Sequence, residues 1–281
     1  MEMVHFIPPS QRRFALMAAQ ADSTPVLIQG AAGTGKGAIA YWIHLNGPRS
    51  AFAYIEAQQG KPLASQILEA QGGTLTIPEI GEWPLAEQKI LLGFLKTKAV
   101  PTIQSLPQLA NVRIIVTTSQ ALGGRAQSGL FNPELLEKLN VYRIEMPALS
   151  NRLDEFEDIV TGIIHEITWE LHKQYLRDLS PSAWSRLRSY EWPGNIRELR
   201  NVLRLAITAA KGDRIECEDL PDFGPTREDF RTTREQFEKI YLLELLKSLD
   251  WELDQASSVT HIDKQTLISK IKDYGFTLNQ K

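Results

Sequence analysis

The sequence predicts an α/β fold in which a parallel sheet is covered by helices, followed by a helical subdomain and a small all-α domain. Short apolar strands and helices alternate up to about residue 150, which is typical of a parallel sheet. Beyond residue 154 the apolar residues keep only helical spacing, and Pro221 and Gly224 interrupt the pattern before the last helices. The expected parts are 1–150 (α/β), 151–216 (helical), 217–233 (linker) and 234–281 (terminal helices).

The predicted elements follow one another along the chain. Phe14–Ala19 comes after two arginines, but this apolar stretch is too short for an export signal, and an amphipathic opening helix is the better interpretation. The expected strands are Val26–Gln29, Ala51–Ile55, Thr74–Ile77 and Val112–Thr117, and the expected helices are Lys36–Leu45, Leu85–Lys96, Glu155–Leu176, Pro181–Tyr190 and Asn195–Lys211.

Composition excludes several classes of protein. The chain has 281 residues, of which 43% are apolar and 23% charged, and its formal net charge is −3. This balance is typical of a globular protein and argues neither for nor against nucleic acid as a partner. Cys217 is the only cysteine, so no disulfide framework and a cytoplasmic location are expected. No segment approaches the roughly 18 apolar residues of a membrane span.

A glycine-rich loop is the strongest local signal for ligand binding. Residues 30–36 read G-A-A-G-T-G-K directly after the apolar run Val26–Ile28. Such a loop points backbone N–H groups at anionic oxygens, the next helix adds its positive end, and the lysine adds a mobile cation. We therefore expect ATP or ADP to bind here, and a purely structural turn is the alternative. The expected nucleotide-binding residues of the loop are Gly30, Gly33, Thr34, Gly35, Lys36 and Gly37.

Residues that ATP hydrolysis requires are missing from this predicted site. The strand Thr74–Ile77 ends in Pro78-Glu79, where a phosphate-loop ATPase carries Asp-Glu to hold Mg²⁺ and orient water. Proline offers no side-chain ligand, and Gly37 stands where a hydroxyl residue would also hold the metal. We therefore interpret Glu79 as a vestigial catalytic residue, do not expect bound Mg²⁺, and expect the nucleotide to be held rather than hydrolysed.

Five stretches of the sequence resemble one known family, in the same order. The stretches are VLIQGAAGTGK (26–36), GGTLTIPEIG (72–81), NVRIIVTTSQAL (111–122), FNPELLEKLNVYRIEMP (131–147) and WPGNIRELRNVL (192–203). With them the chain resembles the AAA+ module of NtrC-like bacterial enhancer-binding proteins, the activators of sigma-54 RNA polymerase, followed by a Fis-type helix-turn-helix. The resemblance implies that residues 151–216 form the helical lid and that Arg197 touches the phosphates.

Departures from the family pattern predict lost functions. The resemblance implies that Ser119 replaces the first sensor, and that Asn132 and Lys138 stand where arginines would reach a neighbouring subunit's nucleotide. An arginine finger is worth about 10³ to 10⁵ in rate, so measurable hydrolysis is not expected. The family's GAFTGA loop has no counterpart between Glu56 and Ala70, so activation of sigma-54 polymerase is not expected either. A nucleotide site that serves only as scaffold is the alternative.

The end of the chain resembles a Fis-type pattern of a first helix, a tight turn and a recognition helix, over residues 256–275. Asp263 is expected to cap the recognition helix, Leu267 and Ile271 to form its buried stripe, and His261 to lie in the turn. A helix bundle used only for dimerisation is the alternative. The residues that the motif places against DNA are Lys264, Gln265, Thr266, Ser269, Lys270 and Lys272.

The sequence thus predicts a bacterial transcription regulator that binds double-stranded DNA as a dimer or higher homo-oligomer. Because no sensor domain precedes the α/β domain in this sequence, control is expected through nucleotide, a small ligand or a partner protein. Repression, or direct contact with RNA polymerase, is the expected mode of action. Two other functions stay open: an interaction protein that forms inactive oligomers with an intact AAA+ relative, and a slow ATPase activator.

Overall fold

The computed structural model describes residues 7–101, 106–176, 178–223, 251–260 and 262–274, together with Leu242, Leu245, Leu246 and Leu249. Contacts group the chain into two units, Met1–Pro221 and Asp222–Lys281. The first unit contains the sheet and the helical subdomain, and the second contains the terminal helices. Within the described ranges, no helix is long and apolar enough to cross a membrane.

A five-stranded parallel sheet forms the centre of the first unit. Its strands are β1 (Val26–Gly30), β2 (Tyr54–Glu56), β3 (Thr74–Ile77), β6 (Arg113–Thr118) and β7 (Tyr142–Met146). Two short strand pairs lie outside this sheet: β4 (Ala99–Val100) pairs with β5 (Gln108–Leu109), and β8 (Asp178–Leu179) pairs with β9 (Arg214–Ile215). The order in the sheet is β2-β3-β6-β1-β7, and Val26 lies opposite Ile115 on one side and Tyr142 on the other. Because the strands are parallel, β1, β3 and β6 end at one edge, where open α/β sheets bind ligands.

Helices cover both faces of the sheet, and further helices form the helical subdomain and the terminal unit. Leu75 of the sheet packs with Phe94 and Leu135 on one face, and Ile28 packs with Ile43 on the other. The helices are α1 (Pro9–Gln20), α2 (Lys36–Leu45), α3 (Leu63–Glu69), α4 (Leu85–Thr97), α5 (Leu122–Gln127), α6 (Pro133–Leu139), α7 (Phe156–Glu170), α8 (Pro181–Arg188), α9 (Asn195–Ala209), α10 (Leu253–Thr260) and α11 (Lys264–Asp273).

The predicted strands and helices of the first unit are present, including the opening helix α1, although β2 begins at Tyr54 rather than at the predicted Ala51. The structure adds β7, three short helices, α3, α5 and α6, and the two short strand pairs. β7 is an edge strand whose positions alternate between exposed and buried along its second half, so it carries no continuous apolar run. α7 ends at Glu170 rather than at the predicted Leu176. It ends there because His172 takes a left-handed φ of 55° and Lys173 turns away, so that its Nζ donates to the carbonyl of Ile207 in α9.

The segment expected to begin the linker contains an ordered turn. Cys217–Asp219 forms a 3₁₀ turn that is closed by a capping box. Arg186 of α8 donates hydrogen bonds to the carbonyls of Cys217 and Pro221. These residues therefore pack on the helical subdomain, whereas 224–233, the rest of the expected linker, lies outside the described residues.

The terminal unit has a small apolar core around α10 and α11. Leu246 packs there with Ala256 and with the predicted stripe of Leu267 and Ile271, both of which are fully buried. The predicted cap of α11 is confirmed as well, because Asp263 accepts a hydrogen bond from the backbone N–H of Thr266 at 3.0 Å. His261, expected in the turn, lies outside the described residues, as does residue 234, the expected start of the terminal helices.

Candidate nucleotide site

The loop between β1 and α2 has the geometry of an anion-binding turn. Gly33 and Gly35 take left-handed φ angles of 78° and 91°, and Gly35 directly precedes α2. The first N–H groups of a helix have no partner within it and carry its positive end. Thr34 is buried and its hydroxyl donates to the carbonyl of Ala31 at 2.9 Å, so it fastens the loop instead of facing a ligand.

Lys36 is held by three acceptors of the chain itself. Its side chain is only 7% exposed, and Nζ donates to the carbonyls of Gly30 at 2.8 Å and Ala31 at 3.0 Å. The third neighbour is Glu79, whose Oε1 lies 3.3 Å from Nζ. An ammonium group has three N–H donors and no acceptor, so all three donors face an oxygen of the protein.

Glu79 is fixed on its other side by Ser119, the residue that stands in place of the family's first sensor. The Oε2 atom of Glu79 accepts from the Ser119 backbone N–H at 2.6 Å and from its hydroxyl at 2.8 Å. Burial raises the pKa of Glu79, but these hydrogen bonds and the charge of Lys36 outweigh burial and hold the pKa below its usual value. The ends of β1, β3 and β6 are thereby linked through one ionised carboxylate.

The helical lid joins the glycine loop through Asn195, a residue that the sequence reasoning did not single out. Its Nδ2 donates to the carbonyl of Ala32 at 2.9 Å, and its Oδ1 accepts from the Leu149 N–H at 2.8 Å. The backbone N–H of Arg197 also donates to the carbonyl of Gly33 at 3.1 Å. The signal that could have found Asn195 is its place inside the WPGNIREL motif.

A cavity of about 630 Å³ lies between the glycine loop, the ends of the strands and α9. Arg197 lines it from the lid, as predicted, and its side chain is exposed. Sequence reasoning missed three further charged residues in the wall, Glu56, Glu82 and Arg200. The other predicted residues that line the cavity are Gly33, Gly35, Lys36, Gly37 and Glu79.

Two predicted loop residues do not line the cavity. Gly30 instead lies against β7, where an added Cβ would meet the carbonyl oxygen of Met146 at 2.3 Å. Thr34 is buried within the loop, as described above. Both residues therefore shape the loop, and other residues of the loop line the cavity.

The two positions from which a phosphate-loop ATPase holds Mg²⁺ carry no side-chain oxygen. These positions are Pro78 and Gly37, which both line the cavity. The hydroxyl of Thr34 is bonded to its own loop. The phosphates of a nucleotide do fit, since the start of α2, Lys36 and Arg197 converge on the cavity.

The residues at the expected arginine-finger positions lie at α6, and since such residues act on a neighbouring subunit's nucleotide, this chain's own cavity does not test them. Asn132 is the N-cap of α6, and its side chain accepts hydrogen bonds from the backbone N–H groups of Glu134 and Leu135. Lys138 is an exposed residue in the last turn of the same helix. The side chain of Asn132 therefore caps and stabilises its own helix.

The predicted DNA-facing residues lie on the outer side of α11 where the structure describes their side chains. Lys264, Gln265 and Ser269 are exposed and Lys270 is half-buried. The hydroxyl of Thr266 donates to Asp263 Oδ2 at 2.6 Å, so this side chain supports the helix cap. The side chain of Lys272 lies outside the described part of the chain.

Comparison with known proteins identifies both parts of the first unit. Residues 10–149 match the family described as "Sigma-54 interaction domain", and residues 150–236 match "AAA+ ATPase lid domain". The alginate biosynthesis transcriptional regulatory protein AlgB of Pseudomonas syringae is 32% identical over 279 residues, which cover 89% of this chain. The DNA-binding transcriptional regulator NtrC of Salmonella typhimurium is 30% identical over 245 residues, or 78% of this chain.

The fold is shared with a solved crystal structure. Crystallised NtrX of Brucella abortus in complex with ADP superposes with a TM-score of 0.68 at 24% identity, covering 95% of this chain and 68% of that one. The chain spans 62% of the length of AlgB from Pseudomonas syringae and 52% of NtrC. The chain thus consists in large part of a sigma-54 interaction domain and an AAA+ lid, and it is homologous to the NtrC- and AlgB-type sigma-54 enhancer-binding regulators.

Proposed function

We propose that this chain is a DNA-binding transcription regulator whose AAA+ domain binds a nucleotide as a ligand and does not hydrolyse it efficiently. One observation carries this proposal. Glu79, the residue that would orient the attacking water, is instead bonded to Ser119 and Lys36, beside a proline where the Mg²⁺ carboxylate would be. The site can therefore attract phosphates, but it lacks the groups that would stabilise their transfer.

Binding of a nucleotide is supported by the cations around the cavity. Lys36 and Arg197 line the cavity beside the start of α2, and backbone N–H groups at a helix start attract phosphate. NtrX of Brucella abortus, which shares the fold, was crystallised both with ADP and with ATP. We therefore assign the nucleotide-binding role to the loop residues that line the cavity and to Arg197, and the ligand class to adenine nucleotides.

The DNA-binding part of the proposal rests on the terminal unit and on the relatives. Two relatives that match over most of this chain, AlgB of Pseudomonas syringae and NtrC of Salmonella typhimurium, are named as transcriptional regulators. The capped helix α11, with exposed Lys264 and Gln265 near its start, suits entry into a major groove. We propose that the chain binds DNA as a symmetric oligomer in this way.

Activation of sigma-54 polymerase is not part of the proposed function. Residues 57–73 connect β2 to β3 and contain only the short helix α3 in this interval, which leaves little chain for a loop that grips a sigma factor. We propose that the regulator represses, or contacts RNA polymerase by another surface. An interaction protein that pairs with an intact AAA+ relative would differ by failing to bind DNA alone.

Nucleotide binding without turnover is the test of this proposal. At about 100 times its dissociation constant, ADP or ATP should stabilise the fold by roughly 2.7 kcal/mol, measured as a shift in melting temperature. Lys36→Ala should abolish the shift, while Lys211→Ala, on the surface of the lid, should retain it. In the same samples, release of phosphate from ATP with Mg²⁺ should not exceed background.

Restoring one residue should not restore catalysis. Pro78→Asp returns a carboxylate but leaves Asn132 and Lys138 at the positions of the finger arginines, and groups that act as a unit fail together. Turnover near one per second by the unmodified protein, or the absence of any thermal shift at millimolar nucleotide, would contradict the proposal.

A further inference from the structure

Lys36 is saturated by acceptors of the chain before any ligand arrives. Two of its N–H groups donate to the carbonyls of Gly30 and Ala31, which belong to its own loop, and the third faces the carboxylate of Glu79. The two carbonyls are part of the loop whose shape depends on the left-handed Gly33 and Gly35. Glu79 is therefore the partner that a phosphate has to replace or avoid.

The carboxylate of Glu79 lies where the end of a triphosphate would lie. In a phosphate loop the lysine reaches the β- and γ-phosphates, and here Glu79 Oε1 stands 3.3 Å from that lysine's Nζ. The two hydrogen bonds from Ser119 to Oε2 hold the carboxylate in this place. An anion of the protein thus already occupies the far side of Lys36.

The cavity wall carries carboxylates as well as cations. Three carboxylates line the cavity, those of Glu56, Glu79 and Glu82. Of the three cations that line the cavity, Arg200 is bonded to Glu166 at 2.6 Å and also reaches Glu170, and Lys36 is paired with Glu79. Two of the three positive charges of the wall therefore already have a carboxylate partner.

Mg²⁺ would normally neutralise part of the charge of a triphosphate. Pro78 and Gly37 line the cavity at the two positions from which phosphate-loop ATPases hold the ion, and neither offers a side-chain oxygen. A triphosphate would therefore bring one more phosphate, without its metal, toward the carboxylate of Glu79, and like charges at such distances repel. A diphosphate can contact the start of α2 and Lys36 while it ends short of Glu79.

We propose that this site takes a nucleoside diphosphate without Mg²⁺, and that Glu79, held by Ser119, excludes the terminal phosphate of a triphosphate. The inference rests on the proposed nucleotide-binding function and specifies its ligand. Glu79 then serves as a specificity-determining residue, in a position where the fold family uses a catalytic one. The regulator would respond to the amount of diphosphate and would be insensitive to the metal.

Calorimetric titration of the full chain with ADP and with ATP tests this inference. In EDTA, ADP should bind at least about tenfold more tightly than ATP, a difference of about 1.4 kcal/mol, and Mg²⁺ should not tighten the binding of ATP. Glu79→Gln keeps an oxygen that can accept the Ser119 hydrogen bonds but removes the charge and frees one donor of Lys36. It should bring the two affinities to within about threefold of each other.

Glu82→Gln is the matched control, because it removes a carboxylate from the same cavity wall but not the one that contacts Lys36. It should leave most of the preference for ADP in place. Equal or tighter binding of ATP by the unmodified protein, tighter ATP binding with Mg²⁺, or an unchanged preference in Glu79→Gln would each overturn the inference and leave nucleotide binding itself standing. If neither nucleotide binds, the proposed nucleotide-binding function falls together with it.

Discussion

At the scale of single residues, charged side chains lie at both ends of the sheet, and those at the two ends have different roles. At the carboxyl end, Lys36 and Glu79 face a cavity. At the amino end, Arg49 is buried and bonds Asp22 and the carbonyl of Asn111, which fastens the loops there. A buried charge can thus serve the fold alone, and burial by itself does not indicate ligand binding.

His44 provides a prediction about pH at this amino end. It is buried in α2, its Nδ1 lies 3.0 Å from the hydroxyl of Thr74, and the rings of Tyr41 and Tyr54 lie against it. Burial, and to a smaller extent the charge of Arg113, lowers the pKa of His44. The neutral imidazole is therefore the form that the fold holds.

The sign of the pH effect follows from this direction. Below the ordinary pKa of about 6.5, the unfolded chain takes up a proton that folded His44 does not, so stability is present above pH 6.5 and is lost as pH falls, by up to about 1.4 kcal/mol per pH unit. His44→Gln should flatten the dependence between pH 6.5 and 5.5, measured by urea unfolding. Equal slopes for the two proteins in that window would contradict this assignment.

At the scale of elements, the strands that flank the site could be predicted because they are short runs rich in apolar and β-branched residues. The glycine loop could be predicted because its spacing is local. β7 and α3 could not, since β7 is an edge strand with alternating exposure and α3 has only seven residues. The partners of Glu79 also escaped prediction. They come from different strands, and only the order β3-β6-β1 brings them together.

Asn132 gives a prediction about α6. Because its side chain caps two backbone N–H groups, Asn132→Ala should cost about 1 kcal/mol of stability, within a usual range of roughly 0.5 to 2. Asn132→Asp, which keeps an acceptor, should cost less. Asn132→Arg, which returns the arginine of the family, should lose the cap as well and should not restore hydrolysis. Chemical denaturation compares the three variants, and an Ala variant as stable as the unmodified protein would show that the cap contributes nothing.

At the scale of the whole molecule, the two units of the chain predict two separable activities. Contacts divide the chain between Pro221 and Asp222, so a change on α11 should alter DNA binding without altering the nucleotide site. The proposed roles on that helix can be told apart by their dependence on salt. A contact to phosphate weakens binding to every sequence, whereas a contact to a base edge changes the preference at one position.

As a two-fold dimer, the protein should protect an inverted repeat whose half-sites lie about 34 Å apart. Lys270→Ala should weaken binding to all sequences alike and lower the slope of log affinity against log salt by about one, whereas Gln265→Ala should relax preference at one base pair. Lys211→Ala, outside the terminal unit, is the control and should change neither. Fluorescence anisotropy at several salt concentrations measures both quantities. A chain cut before Thr226 should lose DNA binding, and if it still bound the repeat, the DNA-binding surface would have to lie in the first unit.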